Sequence, residues 1–240
     1  MNDFLEILPN VLIAAGAGLL GGIFALFWSP KVWARSAIQH FAAGAVLAAV
    51  ASGVIPEAER TGSIFGILAG FAAGGLTMIG LKWLVLKFEK KEKSVGKQPI
   101  GLAAAAALDT LVDGALIAAG FSSGQQLGTL LVAALALELF FLNLSVGSEF
   151  SKVKSKRWQG LLVTIGISAL MLVGAFIASL ILREASDATI AVGLAFGSAA
   201  LIYLIAEELL VEAIQAEESL LSTAMLFAGF LVLLALKLLS

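Results

Sequence analysis

Residues 100–121 read IGLAAAAALDTLVDGALIAAGF, and within them only Asp109 and Asp113 carry ionisable groups. A run of about 20 mostly apolar residues is long enough to cross the hydrocarbon core of a bilayer as a helix. Two acids inside such a run are costly, by a few kcal/mol each at least, and point to function. Their i,i+4 spacing sets both carboxylates on one helix face, about midway through the span. Like charges that close repel. They require a cation, a proton or a cationic side chain beside them.

The rest of the chain provides the same solvent. It has 240 residues, of which 60% are hydrophobic and 13% charged, with a net charge of −2. Soluble domains are nearer 45–50% apolar and 25% charged. Seven further apolar stretches read as spans, near 8–29, 37–56, 63–87, 126–149, 159–182, 188–212 and 219–239. The fold class expected is therefore all-α: a polytopic membrane protein of eight transmembrane helices. No break between them is long enough for a soluble domain, so 1–240 forms a single transmembrane domain. There are no cysteines, which excludes disulfides, Fe–S clusters and thiolate metal sites. The first residues carry Asp3 and Glu6 rather than a basic n-region, so the first helix is expected to insert and stay.

Lysine and arginine distribution orients the bundle. Alternate loops carry Lys31 and Arg35; Lys90, Lys91, Lys93 and Lys97; and Lys152, Lys154, Lys156 and Arg157. The intervening loops carry only Arg60, no basic residue, and Arg183. Both termini are expected outside the cytoplasm, with the protein multi-pass in a cell inner or plasma membrane.

A faint internal echo relates helix 2, with Ala43-Gly44-Ala45 and the ending Pro56-Glu57-Ala58, to helix 7, with Phe196-Gly197-Ser198 and the ending Val211-Glu212-Ala213. The two helices run in opposite senses. The expected arrangement is 3+2+3, with helices 1–3 and 6–8 as inverted repeats around helices 4–5.

The remaining acids extend the candidate site. Glu138 lies mid-span in helix 5, which a short turn makes the antiparallel neighbour of helix 4. Asn143 and Ser145 follow it. Asp109, Asp113 and Glu138 can meet near the midplane, with Thr110 as a neutral oxygen. No lysine or arginine lies mid-membrane, since Lys82 is close to the cytoplasmic end of helix 3. An all-oxygen site of this kind suits a divalent cation such as Mn²⁺, Mg²⁺ or Ca²⁺, with Fe²⁺ and Zn²⁺ open to it. Protonated carboxylates acting as helix glue are the competing reading. Asn143, Glu207, Glu208 and Glu212 are candidates for a pathway. Glu57 and Glu59 read as solvated charges at a helix end, and His40, the single histidine, as an interfacial side chain.

At helices 4 and 5 the chain resembles the ZIP family of metal transporters. That family carries a His-Asn-x-Pro-Glu-Gly-like motif on its fourth helix, and Asp109-Thr110-Leu111-Val112-Asp113-Gly114 falls in the same frame. Glu138 falls at the first ligand position of the family's fifth helix. Phe41 to Ala58 looks like its second helix, and Gly197 to Ala213 like its seventh. The eight helices, outside termini and long basic loop agree with the family too. The family's helix-4 His and Asn are Asp109 and Thr110 here, its motif prolines are Val112 and Phe141, and the second acid of helix 5 is Leu142. The resemblance implies a transporter of divalent metal cations, with metal ligands Asp109, Asp113, Glu138 and Thr110. With Leu142 in place of a bridging carboxylate, one metal is expected rather than two. Alternatives are a proton-coupled cation carrier or exchanger, and a family relative that has lost transport and acts as scaffold or sensor. The expected partners are the metal ion and the lipid bilayer, with a homodimer open to it. Nucleic acid is not among them, since the positive-inside rule already accounts for the lysine-rich loop. An enzyme is not expected: the chain lacks His-Glu-x-x-His and Gly-x-Ser-x-Gly motifs, and Asp109 and Asp113 share one helix, unlike the pair of an intramembrane aspartyl protease.

Overall fold

The computed structural model describes residues 2–28, 30–91, 100–151, 157–210 and 220–239. Among these residues there is no strand, and eight helices are long and apolar enough to cross a membrane. They are α1 (Asn2–Phe27), α2 (Val32–Thr61), α3 (Ile64–Lys91), α4 (Ile100–Ser123), α5 (Gln125–Ser151), α6 (Arg157–Leu182), α7 (Asp187–Leu204) and α8 (Leu220–Leu239). α1 starts ahead of the position expected from its apolar run and holds Pro9 within it. That proline takes one hydrogen bond from the ladder, which the rest of a 26-residue helix tolerates.

Two helices depart from α geometry. α2 is α-helical over Val32–Ala49, widens into a π-turn over Val50–Val54, and resumes over Ile55–Thr61. Pro56 explains the turn. It has no N–H for the Ser52 carbonyl, and its ring crowds that carbonyl, so the backbone unwinds just ahead of it. α7 likewise runs 18 residues and then enters a π-turn over Ile205–Leu209. No proline accompanies this one, since none occurs between Asp187 and Leu210.

α4 and α5 are joined by Gly124 alone, with φ +149°, a conformation that a β-carbon disfavours. This turn makes the two helices antiparallel neighbours, as the sequence requires. α5 is the most enclosed helix, while α3 and α8 are the most exposed. α5 is surrounded by α1, α2, α4 and α6. α8 lies on the outer face of α2, and α3 on that of α7.

Glycine sets the closest crossings, because only backbone-sized residues let membrane helices touch. A β-carbon at Gly229 of α8 would overlap the Phe41 carbonyl oxygen of α2. One at Gly74 of α3 would overlap the Phe196 carbonyl oxygen of α7. Gly21 of α1 meets the Phe140 carbonyl of α5, and Gly174 of α6 meets that of Leu111 on α4.

One end of the bundle holds the starts of α1, α3, α5 and α7 with the ends of α2, α4, α6 and α8. We call this the terminal end. At the opposite, basic end, Arg35 at the start of α2 pairs with Glu149 at the end of α5, and Ser36 bonds Ser222 at the start of α8 over 3.1 Å.

Candidate metal site

α4 carries Asp109 and Asp113 one turn apart, at the tenth and fourteenth of its 24 residues; α5 carries Glu138 at the fourteenth of its 27. Equal depth in adjacent antiparallel helices brings them together. Asp109 is 2% exposed, Asp113 1% and Glu138 0%. One carboxylate oxygen from each can be chosen so that all three lie within 4.8 Å of one another.

That separation fits a single ion. Ca²⁺ binds oxygen at roughly 2.4 Å and Mg²⁺ at about 2.1 Å, so ligands on opposite sides of one ion are about 4–5 Å apart. It does not fit three bare charges. Two unit charges 4.8 Å apart repel by roughly 3–4 kcal/mol at an effective dielectric of about 20, and this cluster contains three such pairs. The same two helices also bury the apolar side chains of Ile117, Leu131, Leu135 and Leu139 in the core.

The other sequence candidates fall in three places. Thr110 is fully buried beside the trio, and its hydroxyl donates to the Ala106 carbonyl of its own helix over 2.7 Å. Its proton is thus committed, and it can offer a cation only its lone pairs. Asn143 is fully buried, and its side-chain amide donates to Ser168 Oγ at 2.9 Å and to the Thr164 carbonyl at 3.3 Å, tying α5 to α6. Glu207 lies in the π-turn after α7, roughly half exposed, and forms an ion pair with Lys82 of α3, whose ammonium also stands 5.9 Å from the Tyr203 ring centroid. The side chain of Glu208 and the whole of Glu212 lie outside the described residues.

Glu59 is exposed, as expected of a solvated helix-end charge, whereas Glu57 is largely covered and pairs with Arg60 at 2.7 Å. His40 donates from Nδ1 to the Ser36 carbonyl at 2.8 Å, within its own helix.

Two features went unrecognised in the sequence. At the terminal end, a cavity of about 450 Å³ opens between α1, α4, α6 and α7, lined by Glu6, Ala118, Ser122, Ser179, Arg183 and Asp187 among others. Ala118 is five residues beyond Asp113 on α4, about 7.5 Å along the axis. At the basic end, Arg35 donates to Ser145 Oγ and pairs with Glu149 at 3.2 Å. Spacing in the sequence puts Glu138, Ser145 and Glu149 on one helix face but does not point to Arg35 as their partner.

Compared with known proteins, the chain matches no family model and no curated protein.

Proposed function

We propose that this chain carries divalent metal cations across a membrane, with Asp109, Asp113 and Glu138 as the transport site, on a ZIP-like plan. One observation carries the reading: three carboxylates from two helices, fully enclosed near mid-span, converge within the reach of a single ion. An all-oxygen ligand set favours the harder divalent ions, Mn²⁺ ahead of Zn²⁺. When no metal is bound, protons must neutralise the cluster. Exchange of protons for the cation is therefore the natural coupling, and it uses the same three residues.

The helix register supports an inverted repeat of α1–α3 and α6–α8 around α4–α5. Phe41 and Phe196 stand 155 positions apart, as do their partners Gly74 and Gly229, and as do the first residues of the two π-turns, Val50 and Ile205. In the other pair of crossings, Leu111 and Phe140 are 29 positions apart. So are Asp109 and Glu138. On this plan those two ligands are symmetry mates, and Asp113 is the odd one, its mate being Leu142. Repeats of this kind place their ion site at the repeat interface near the midplane.

The cavity at the terminal end supplies an approach, since it reaches within two turns of Asp113. The test is uptake into proteoliposomes holding a Mn²⁺-quenched dye. Wild-type protein should quench the dye, and Asp113→Asn protein of the same fold should not. Undiminished quenching by Asp113→Asn would overturn the proposal.

A further inference from the structure

α5 carries two acids among its described residues, Glu138 at mid-span and Glu149 near the basic end. Glu138, Leu142, Ser145 and Glu149 follow each other at i, i+4, i+7 and i+11. At 100° per residue these four lie on one stripe of the helix. The stripe runs from the carboxylate trio to the basic end over about 16 Å. Leu142 separates its two polar ends and is 7% exposed.

The lower end of this stripe is occupied. Arg35, in the first turn of α2, crosses to α5 and splits its guanidinium fork: one nitrogen donates to Ser145 Oγ, and the other pairs with Glu149 Oε1 at 3.2 Å. A planar five-donor fork is suited to grip two oxygens at once. Both ionic side chains are 26% exposed. The cation therefore sits at the mouth of the stripe, between the trio and the aqueous phase at that end. Its tether is short: α2 is anchored near Arg35 by the Ser36–Ser222 bond, while the π-turn ahead of Pro56 leaves the far half of the helix deformable.

We propose that Ser145 and Glu149 form a second cation site on the path from the trio, and that the Arg35 guanidinium is its resident occupant, a tethered cation that a departing divalent ion must displace. An ion released from Glu138 next meets oxygen ligands on the same helix face. The positive charge already there excludes ions from the basic end until α2 moves. This deepens the transport reading and rests on it for its direction, but the site can be tested without it.

The test uses the full chain in nanodiscs and counts bound Mn²⁺ at equilibrium by electron paramagnetic resonance. Arg35→Gln protein should bind one Mn²⁺ more than wild type, and Arg35→Gln/Glu149→Gln should lose it again. The same gain should appear when Arg35→Gln is placed in an Asp113→Asn background. If Asp113→Asn alone changes nothing, the trio reading fails while the second site stands. If Arg35→Gln adds no Mn²⁺ in either background, the second site is wrong. A second measurement uses the lack of native cysteine. Leu142→Cys should react with a hydrophilic thiol reagent added at the basic end two- to fivefold faster when combined with either Arg35→Gln or Glu149→Gln, roughly the occupancy that a part-exposed ion pair can bias. An unchanged rate in both combinations would show that Arg35 plugs nothing.

Discussion

At the scale of single residues, the proposed transport site is three carboxylates buried together, where uncompensated charge is costly. Two consequences follow. Protons compete with metal for the same oxygens, so metal affinity should fall as pH falls. Titration calorimetry with Mn²⁺ at a series of pH values checks the sign, and a pH-independent affinity would remove the carboxylates as ligands. The absence of imidazole sets the second. Replacing Asp109 by His adds a nitrogen ligand, and the preference between Mn²⁺ and Zn²⁺ should move toward Zn²⁺ by about tenfold or more. Competition binding measures it, and an unchanged ratio would place Asp109 outside the site. These acids were legible in the sequence because an acid in an apolar run has few meanings, and i,i+4 spacing fixes a common face. The grip of Arg35 on α5 was not. A long side chain at a helix start can turn to several neighbours, and nothing in local spacing selects the one 110 residues away. Thr110 was read as a neutral oxygen beside the acids; like many threonines inside helices its hydroxyl donates to the carbonyl four residues earlier, which leaves its lone pairs for a cation.

At the scale of helices, small residues decide where the elements cross. A β-carbon at Gly229 would overlap the Phe41 carbonyl, so Gly229→Ala forces α8 off α2 at a cost of about 1–3 kcal/mol. Gly74→Ala should cost a similar amount at the α3–α7 crossing, whereas Gly75→Ala, where a β-carbon meets nothing within 4 Å, should be near neutral. Thermal unfolding in one detergent ranks the three, and equal melting temperatures would contradict the packing. The spans themselves were plain from hydropathy, but their ends were not: α1 begins at Asn2 rather than residue 8, and α2 covers Val32–Thr61 rather than 37–56. The two π-turns differ in legibility. Pro56 announces the one in α2. The one after α7 has no local cause in sequence and emerges only from comparing the two helices position by position.

At the scale of the whole molecule, eight spans would put both termini on one side, and the positive-inside rule applied to the lysine-rich stretches of the sequence makes the outside the proposed location of that side. Ser94→Cys protein, in the loop between α3 and α4, should be labelled by an impermeant thiol reagent only from the cytoplasm. Labelling from outside alone would invert the orientation and, with it, the sense of the path through the trio. An all-helical chain with eight apolar spans could be read from composition and hydropathy. The proposed inverted repeat could only be glimpsed there, because alanine- and glycine-rich helices resemble one another whatever their ancestry. Paired backbone contacts, each 155 positions from its mate, give that echo a register. The claim on which everything else rests is that Asp109, Asp113 and Glu138 act as one ion site. Its most direct test is equilibrium Mn²⁺ binding to the purified chain and to three single neutralisations, Asp109→Asn, Asp113→Asn and Glu138→Gln. Each neutralisation should weaken binding by at least about 100-fold while leaving the protein folded. Wild-type affinity in any one of the three would contradict the account.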